Sequence, residues 1–347
     1  MAGSLVNPSV TASPTKPANI LDRSTATVEV AAEILAAGGL VAFPTETVYG
    51  LGADAANPDA VAKIYSVKGR PSSHPLIAHV GQRTDLGRLG RTVPNEAEKL
   101  ASAFWPGPLT IVVERGAGIA AETTGGRDTV GLRMPDHPIA VDLLMAFARI
   151  GSGVIAAPSA NRFGAVSPTT ARHVIEDLGD EVDAVLDGGP CRVGVESTIV
   201  DVTGDQPVLL RPGGISTVEL VAVVGGPVLD DRSGPVRAPG MMPSHYAPAA
   251  DVVLIDQAEV GRLEPRPGDG LITVGAGGTA KAAARGFEND AAWALPPDAA
   301  GYAARLYATL RAADRRAVTR LFVVPPESGS LLDAVLDRLE RAAAPRT

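Results

Sequence analysis

The stretch GGLVAFPTETVYGLGADA, residues 38–55, decides how this chain is read. Gly38-Gly39 stops a helix whose apolar positions Val28, Ala31, Ile34 and Leu35 recur at helical spacing. Leu40–Phe43 is then a short buried strand. Pro44-Thr-Glu-Thr-Val-Tyr-Gly50 follows it directly, with hydroxyls at Thr45 and Thr47. Loops at strand ends are where α/β folds place ligands. An ordinary polar turn would read the same way.

Outward from this stretch, strands and helices interleave. Strands are predicted at Leu76–Val80, Leu109–Glu114, Val130–Met134, Val154–Ala157, Ala184–Asp187, Thr198–Val202 and Val208–Arg211. Helices are predicted at Ala60–Val67, Ile139–Phe147 and Thr169–Leu178. The order is not strict βα repetition, so the expected sheet is mixed and twisted rather than doubly wound. From Gly225 to Pro248 the chain turns rich in Gly, Pro, Ser and Met, the composition of a linker. A second α/β block follows, with strands at Val252–Ile255, Leu271–Val274 and Arg320–Val324 and helices at Ala299–Ala313 and Leu331–Ala343.

The expected organisation is a disordered tail over 1–22, a first domain over 23–220, a linker over 221–250 and a smaller domain over 251–347. A length of 347 residues fits two domains, and a hydrophobic fraction of 45% supplies their cores. No apolar run is long enough to span a membrane, and no basic, apolar leader pattern opens the chain, so cytoplasm is the default compartment. One cysteine, Cys191, excludes an internal disulfide and a cysteine-rich zinc site. A net charge of −8 opposes broad nucleic-acid binding and leaves only a local basic patch for RNA.

Chemistry-bearing residues crowd between Pro44 and Arg211. Lys68-Gly-Arg70 brings two cations and a bare backbone to one point, as an anion site needs. A helix C-terminus favours the same cations through its dipole. Ser72, Ser73 and His74 add neutral donors, and His79 ends the next apolar run. Phe104-Trp-Pro-Gly-Pro-Leu109 reads as a packed corner. Thr129 and Arg133 belong to a strand, and an arginine there requires a partner, either a bound anion or a protein carboxylate. Ser159, Asn161, Ser167 and Ser197 supply hydroxyls and an amide without an adjacent base, which suits ligand binding better than nucleophilic attack. Arg211 closes the last strand beside flexible glycines. Neither a GxxxxGK[ST] loop nor a GxSxG elbow occurs. This cationic, hydroxyl-rich set suits a nucleoside triphosphate and a small polar acid, with catalysis by positioning and charge neutralisation.

The segments at 38–55, KGRPSSHPLIAHV, WPGPLTIVV, VGLRMP, APSANRFGAVSPT, DGGPCRVGVESTIVD, LRPGG and SHYAP together resemble the threonylcarbamoyl-AMP synthases in their long, two-domain form. The resemblance implies a YrdC-like α/β domain, a twisted mixed sheet with flanking helices, followed by a smaller Rossmann-like α/β domain. It implies a nucleotidyltransferase that makes threonylcarbamoyl-AMP and pyrophosphate from L-threonine, bicarbonate and ATP. A downstream transferase then modifies a tRNA adenosine, so tRNA contact with this chain would be weak or indirect. Carried over, threonine contacts fall at Thr47, His79, Arg133, Ala157 (through its backbone) and Ser197. ATP contacts fall at Arg70, His74, Thr129, Ser159, Asn161, Ser167, Arg211 and Tyr246. Lys68 and Arg70 act electrostatically, with no side chain as nucleophile or base. Mg2+ accompanies ATP, with no ligands from protein side chains. The competing expectation is an RNA-binding module without chemistry of its own. A carbamoyl transferase of the hydrogenase-maturation type would need cysteine-rich zinc modules, and a purely structural scaffold would leave the converging cations and hydroxyls unexplained.

Overall fold

The computed structural model describes residues 19–21, 25–231, 239–240, 246–275, 286–287 and 290–345. The first domain's strands are β1 Asn19–Leu21, β2 Val41–Phe43, β3 Gly50–Asp54, β4 Ile77–Val80, β5 Leu109–Glu114, β6 Thr129–Arg133, β7 Val154–Ala156, β8 Ala184–Leu186, β9 Thr198–Asp201, β10 Val208–Arg211 and β11 Leu229–Asp230. Its helices are α1 Thr25–Ala36, α2 Pro58–Lys68, α3 Asp85–Leu89, α4 Asn95–Phe104, α5 Pro138–Ile150, α6 Ala171–Leu178 and α7 Thr217–Val224. The second domain holds β12 Asp251–Leu254, β13 Asp269–Val274, β14 Ala292–Leu295, β15 Arg320–Val323, α8 Ala299–Arg315 and α9 Leu332–Ala343.

Among the described residues the first domain forms one sheet in the order β1-β8-β2-β3-β7-β4-β6-β5-β9-β10-β11. Parallel and antiparallel pairs mix within it, as the irregular strand–helix order requires. Period-two alternation sorts side chains between its faces. Ala42, Ala78, Val80, Val154 and Ala156 join the core under α2, α4 and α6. Val41, Phe43, Ile155, Ala157 and Leu186 point the other way, into a core with α1 and α5. Farther along, Ile77, Val112, Ile199 and Leu210 form a small separate cluster, outside the core that α1 and α5 build. Among the described residues no helix joins that cluster, and this half of the sheet is the floor of the site.

The second domain's strands are all parallel, in the order β12-β15-β13-β14, so its expected α/β character holds. Val48, Val166 and Val195 of the first domain belong to its hydrophobic core, together with Tyr302, Tyr307 and Leu306 of α8. The two domains approach closely at Gly194, with φ of +79°, where an added Cβ would lie 2.3 Å from the Ala303 carbonyl oxygen.

Two boundaries depart from the composition. Asn19–Leu21 pairs in parallel with β8, so order begins inside the span assigned to a tail; residues 1–18 lie outside the described residues. Ser216 caps α7 in a reciprocal capping box with Glu219, and β11 pairs with β10, so the first domain runs on to Asp230, past residue 220. The linker's 232–238 and 241–245 also lie outside the described residues. Strand β3 and helix α4 escaped the sequence reading, because Gly50–Asp54 has no β-branched residue and α4 buries only Ala97, Leu100 and Ala101. Among the described residues, no helix is long and apolar enough to cross a membrane.

Gly194→Val adds a branched side chain at positive φ against a backbone carbonyl. It is expected to lower stability by roughly 2–4 kcal/mol, read from the urea unfolding midpoint. An unchanged midpoint would show that the domains can part there without loss.

Candidate active site

A cavity lies over the half of the sheet that carries the Ile77 cluster. Thr45, Thr47 and Val48 enter it from the loop after β2, and Ile77 and His79 from β4. Arg133 ends β6, Ala157 to Ser159 follow β7, Glu196 and Ser197 precede β9, and Arg211 ends β10. Arg70 comes from the turn after α2, while Pro239, Gly240 and Tyr246 arrive from the linker. The strands thus deliver their ends, and the loops their polar groups, to one place.

The three arginines are not equivalent. Arg133 is buried and ion-paired with Glu46 at 2.7 Å, so the partner that its strand position demanded is a protein carboxylate. Glu46 also accepts from the Asp136 backbone N–H at 3.1 Å. Arg211 donates through Nε and Nη2 to the Ser197 carbonyl at 3.1 and 2.9 Å, and through Nη2 to Ser197 Oγ at 3.1 Å. Its Nη1 donates to the Pro239 carbonyl at 2.9 Å. Arg70 donates to the Pro75 carbonyl at 3.0 Å and lies 5.7 Å from the Phe163 ring centre. Among the described residues, neither Arg70 nor Arg211 ion-pairs with a carboxylate. Both are buried, and burial lowers both affinities for protons; Arg70's pKa of about 10 leaves it charged at neutral pH. Two buried guanidinium groups, neither in a direct ion pair among the described residues, face one cavity and suit an anion.

Hydroxyl groups fill the intervals. Thr45 Oγ1 and Thr47 Oγ1 are 2.8 Å apart, as are Thr110 Oγ1 and Ser197 Oγ. His79 is buried with Nδ1 unpartnered among the described residues. Burial first, and then the charge of Arg133, push its pKa from 6.5 down to about 3, so it is a neutral imidazole in the working range.

Nine expected site residues therefore meet at this cavity: Thr47, Arg70, His79, Arg133, Ala157, Ser159, Ser197, Arg211 and Tyr246. Thr129 lines an adjoining recess with Ile77, Val112, Gly131 and Ile199. Four others stand behind or beside it. Lys68 is buried, and its ammonium donates to the Ser159 carbonyl at 2.6 Å and to the Asn161 carbonyl. Its burial and the neighbouring Arg70 lower its pKa well below the lysine range. Lys68 thus pins the backbone that carries Ser159 and does not line the cavity. Asn161 Nδ2 donates to the Arg162 and Ala165 carbonyls at 2.7 and 2.8 Å, shaping the same loop. Ser167 Oγ donates to Glu196 at 2.7 Å. His74 is partly exposed, its ring centre 5.6 Å from that of Phe163.

The sequence reading missed Glu46 and Glu196, although each sits between or beside residues it singled out. It also missed Tyr307 and Arg338 of the second domain, which both bind Glu196. Charge on the amphipathic helix α9 gives no sign that one arginine is fully buried.

Fold and site define a mixed α/β domain whose cavity holds two buried guanidinium groups, joined to a parallel α/β domain. A family model described as "Telomere recombination", for the Sua5, YciO and YrdC proteins, matches residues 33–213. The model of the threonylcarbamoyl-AMP synthase C-terminal domain matches residues 215–344. Threonylcarbamoyl-AMP synthase of Pyrococcus abyssi is 39% identical over 330 residues, which span 92% of this chain and 94% of that protein. The Bacillus subtilis synthase is 46% identical over 233 residues, 65% of this chain and 66% of that one. The crystal structure of P. abyssi Sua5 complexed with L-threonine superposes with a TM-score of 0.83 at 37% identity, covering 94% of this chain and 97% of that one. The chain belongs to the threonylcarbamoyl-AMP synthase family, the ATP-using adenylyl transferases of tRNA modification.

The buried imidazole has a consequence for acid stability. In the folded state His79 stays neutral down to about pH 3, whereas the unfolded chain protonates it near 6.5. The unfolded state therefore binds more protons within that window, and stability falls as pH drops through it, by up to about 1.4 kcal/mol per pH unit. His79→Leu is expected to flatten this acid limb in urea unfolding measured from pH 7 to 4. An unaltered slope would mean that His79 is protonated in the fold.

Proposed function

We propose that the chain joins L-threonine, bicarbonate and ATP within this cavity. Threonine would sit at Thr47, His79, Arg133, the Ala157 backbone and Ser197, with Glu46 holding the Arg133 fork in plane. ATP would lie toward Arg70, Arg211, Ser159, Thr129 and Tyr246, with His74 at the rim and Ser167 and Asn161 shaping the wall. The observation that carries this reading is the pair of buried arginines, Arg70 and Arg211, that face the cavity and, among the described residues, pair with no carboxylate.

The chemistry follows from charge. Bicarbonate gives CO2 and hydroxide; the CO2 carbon bonds to the neutral threonine amine as one C=O π bond breaks, and the amine's proton leaves with the hydroxide as water, giving a carbamate. One carbamate oxygen attacks the α-phosphorus of ATP; that O–P bond forms as the bond to the bridging oxygen breaks, and pyrophosphate leaves with the electron pair. A carbamate is already anionic, so no general base is required. The difficulty is bringing two anions together, which Arg70 and Arg211 offset by their charge. Mg2+ is expected to arrive on the ATP phosphates. Among the described residues no His, Cys, Asp and Glu side chains cluster as a metal site. Glu46 and Glu196, the acids nearest the cavity, are paired with Arg133 and Arg338.

Linker residues Pro239, Gly240 and Tyr246 roof the cavity, and the free space beneath them is about 50 Å³. On this reading the linker residues withdraw to admit the substrates. Closed again, they would shield a hydrolysable mixed anhydride from water. The product would then pass to a separate tRNA transferase in the cytoplasm. The names of the relatives support this synthase reading over an RNA-binding module.

Pyrophosphate release from ATP with Mg2+ is expected only when threonine and bicarbonate are both present, and chelation should abolish it. Release with threonine alone in bicarbonate-free buffer would replace the carbamate with simple amino-acid adenylation. Arg211→Ala should lower kcat/KM for ATP by about 100-fold or more. Tyr246→Ala should shorten the lifetime of enzyme-held product; unchanged ATP affinity and product lifetime would remove the roof from the mechanism.

A further inference from the structure

The second domain contributes no expected substrate contact, yet its side chains converge on one acid at the cavity wall. Glu196 is buried, and among the described residues its Oε1 accepts from Ser167 Oγ at 2.7 Å and from the Tyr307 hydroxyl at 3.2 Å. Oε2 accepts from the same hydroxyl at 2.9 Å and pairs with Arg338 Nε at 2.8 Å. Tyr307 is on α8 and Arg338 on α9. Arg338 is fully buried, and its Nη2 donates to the Pro212 carbonyl at 2.9 Å, next to Arg211. Its guanidinium lies 5.0 Å from the ring centre of Tyr246, and that ring stacks on Tyr307 at 5.9 Å.

Glu196 is thus a negative charge at the wall of a cavity whose task, on the reading above, is to receive a triphosphate. We infer that Arg338 and Tyr307 are positioning residues for adenylation: they hold and neutralise Glu196, so that Arg211 remains available to ATP. Burial pushes the Glu196 carboxyl up, but Arg338 and then Arg211 more than offset it and keep the acid ionised. Without Arg338, that carboxylate would turn its demand on the nearest cation of the site, Arg211, and would repel the phosphates. Arg311 of α8 adds a second hold on the same wall, donating to the Val166 carbonyl at 2.5 Å and pairing with Asp177. The second domain therefore sets the electrostatics of a site it does not line.

The test is steady-state pyrophosphate release by the full chain, with KM measured separately for ATP and threonine. Tyr307→Phe keeps the ring stack and removes only the hydroxyl; the expected result is a rise in KM for ATP of about tenfold, with KM for threonine changing far less. Arg338→Met should raise it by about 100-fold, and Glu196→Gln in that background should recover at least about tenfold, because the unmatched charge is gone. Arg338→Lys should retain part of the wild-type ATP affinity. Should Arg338→Met fail to fold, Tyr307→Phe decides alone. An unchanged KM for ATP in Tyr307→Phe overturns the inference, as does an equal loss for both substrates, which marks general structural damage. A wild-type chain that releases no pyrophosphate would instead sink the underlying reading.

Discussion

A carboxylate taken out of water must be matched by hydrogen bonds and opposite charge, or the fold does not tolerate it. Glu196 meets that demand only by drawing on both domains: Ser167 from the first, Tyr307 and Arg338 from the second. The rest of the arrangement depends on this seam. Ser197 follows Glu196 directly and receives Arg211; Pro212 follows Arg211 and receives Arg338. The starts of β9 and the end of β10 are thereby tied together, and Tyr246 is clamped between a ring and a guanidinium.

The site is a study in which charges are matched. Arg133 and Arg338 have carboxylates; among the described residues, Arg70 and Arg211 hydrogen-bond carbonyl groups and a hydroxyl. Carbonyl dipoles hold a guanidinium in place without cancelling its charge, so the unmatched pair keeps its attraction for an anion. Lys68 serves the site differently, from behind, by fixing the backbone on which Ser159 is carried.

Much of the fold was legible because its strands alternate on a buried face: Val41, Phe43 and Ile155 against Ala42, Val154 and Ala156. The strand at Gly50–Asp54 was not, since a glycine-rich strand is defined by what packs on it; a Cβ at Gly52 would meet Ile155 at 2.8 Å. The site's direct lining was legible from motif positions such as Arg70, Arg133 and Arg211. Its supports were not. Whether an arginine on an amphipathic helix faces water or a buried glutamate 142 residues away is settled by docking, and local pattern carries no trace of that. Lys68 shows the converse: the motif marked the residue, while only three dimensions revealed that its ammonium serves the backbone.

Val48, Val166 and Val195 lie in the second domain's core although they belong to the first. Two domains that share a core do not melt as independent bodies, because exposing either one strips apolar surface from the other. Their unfolding is expected to be coupled, so that a ligand held by the first domain also protects the second by mass action.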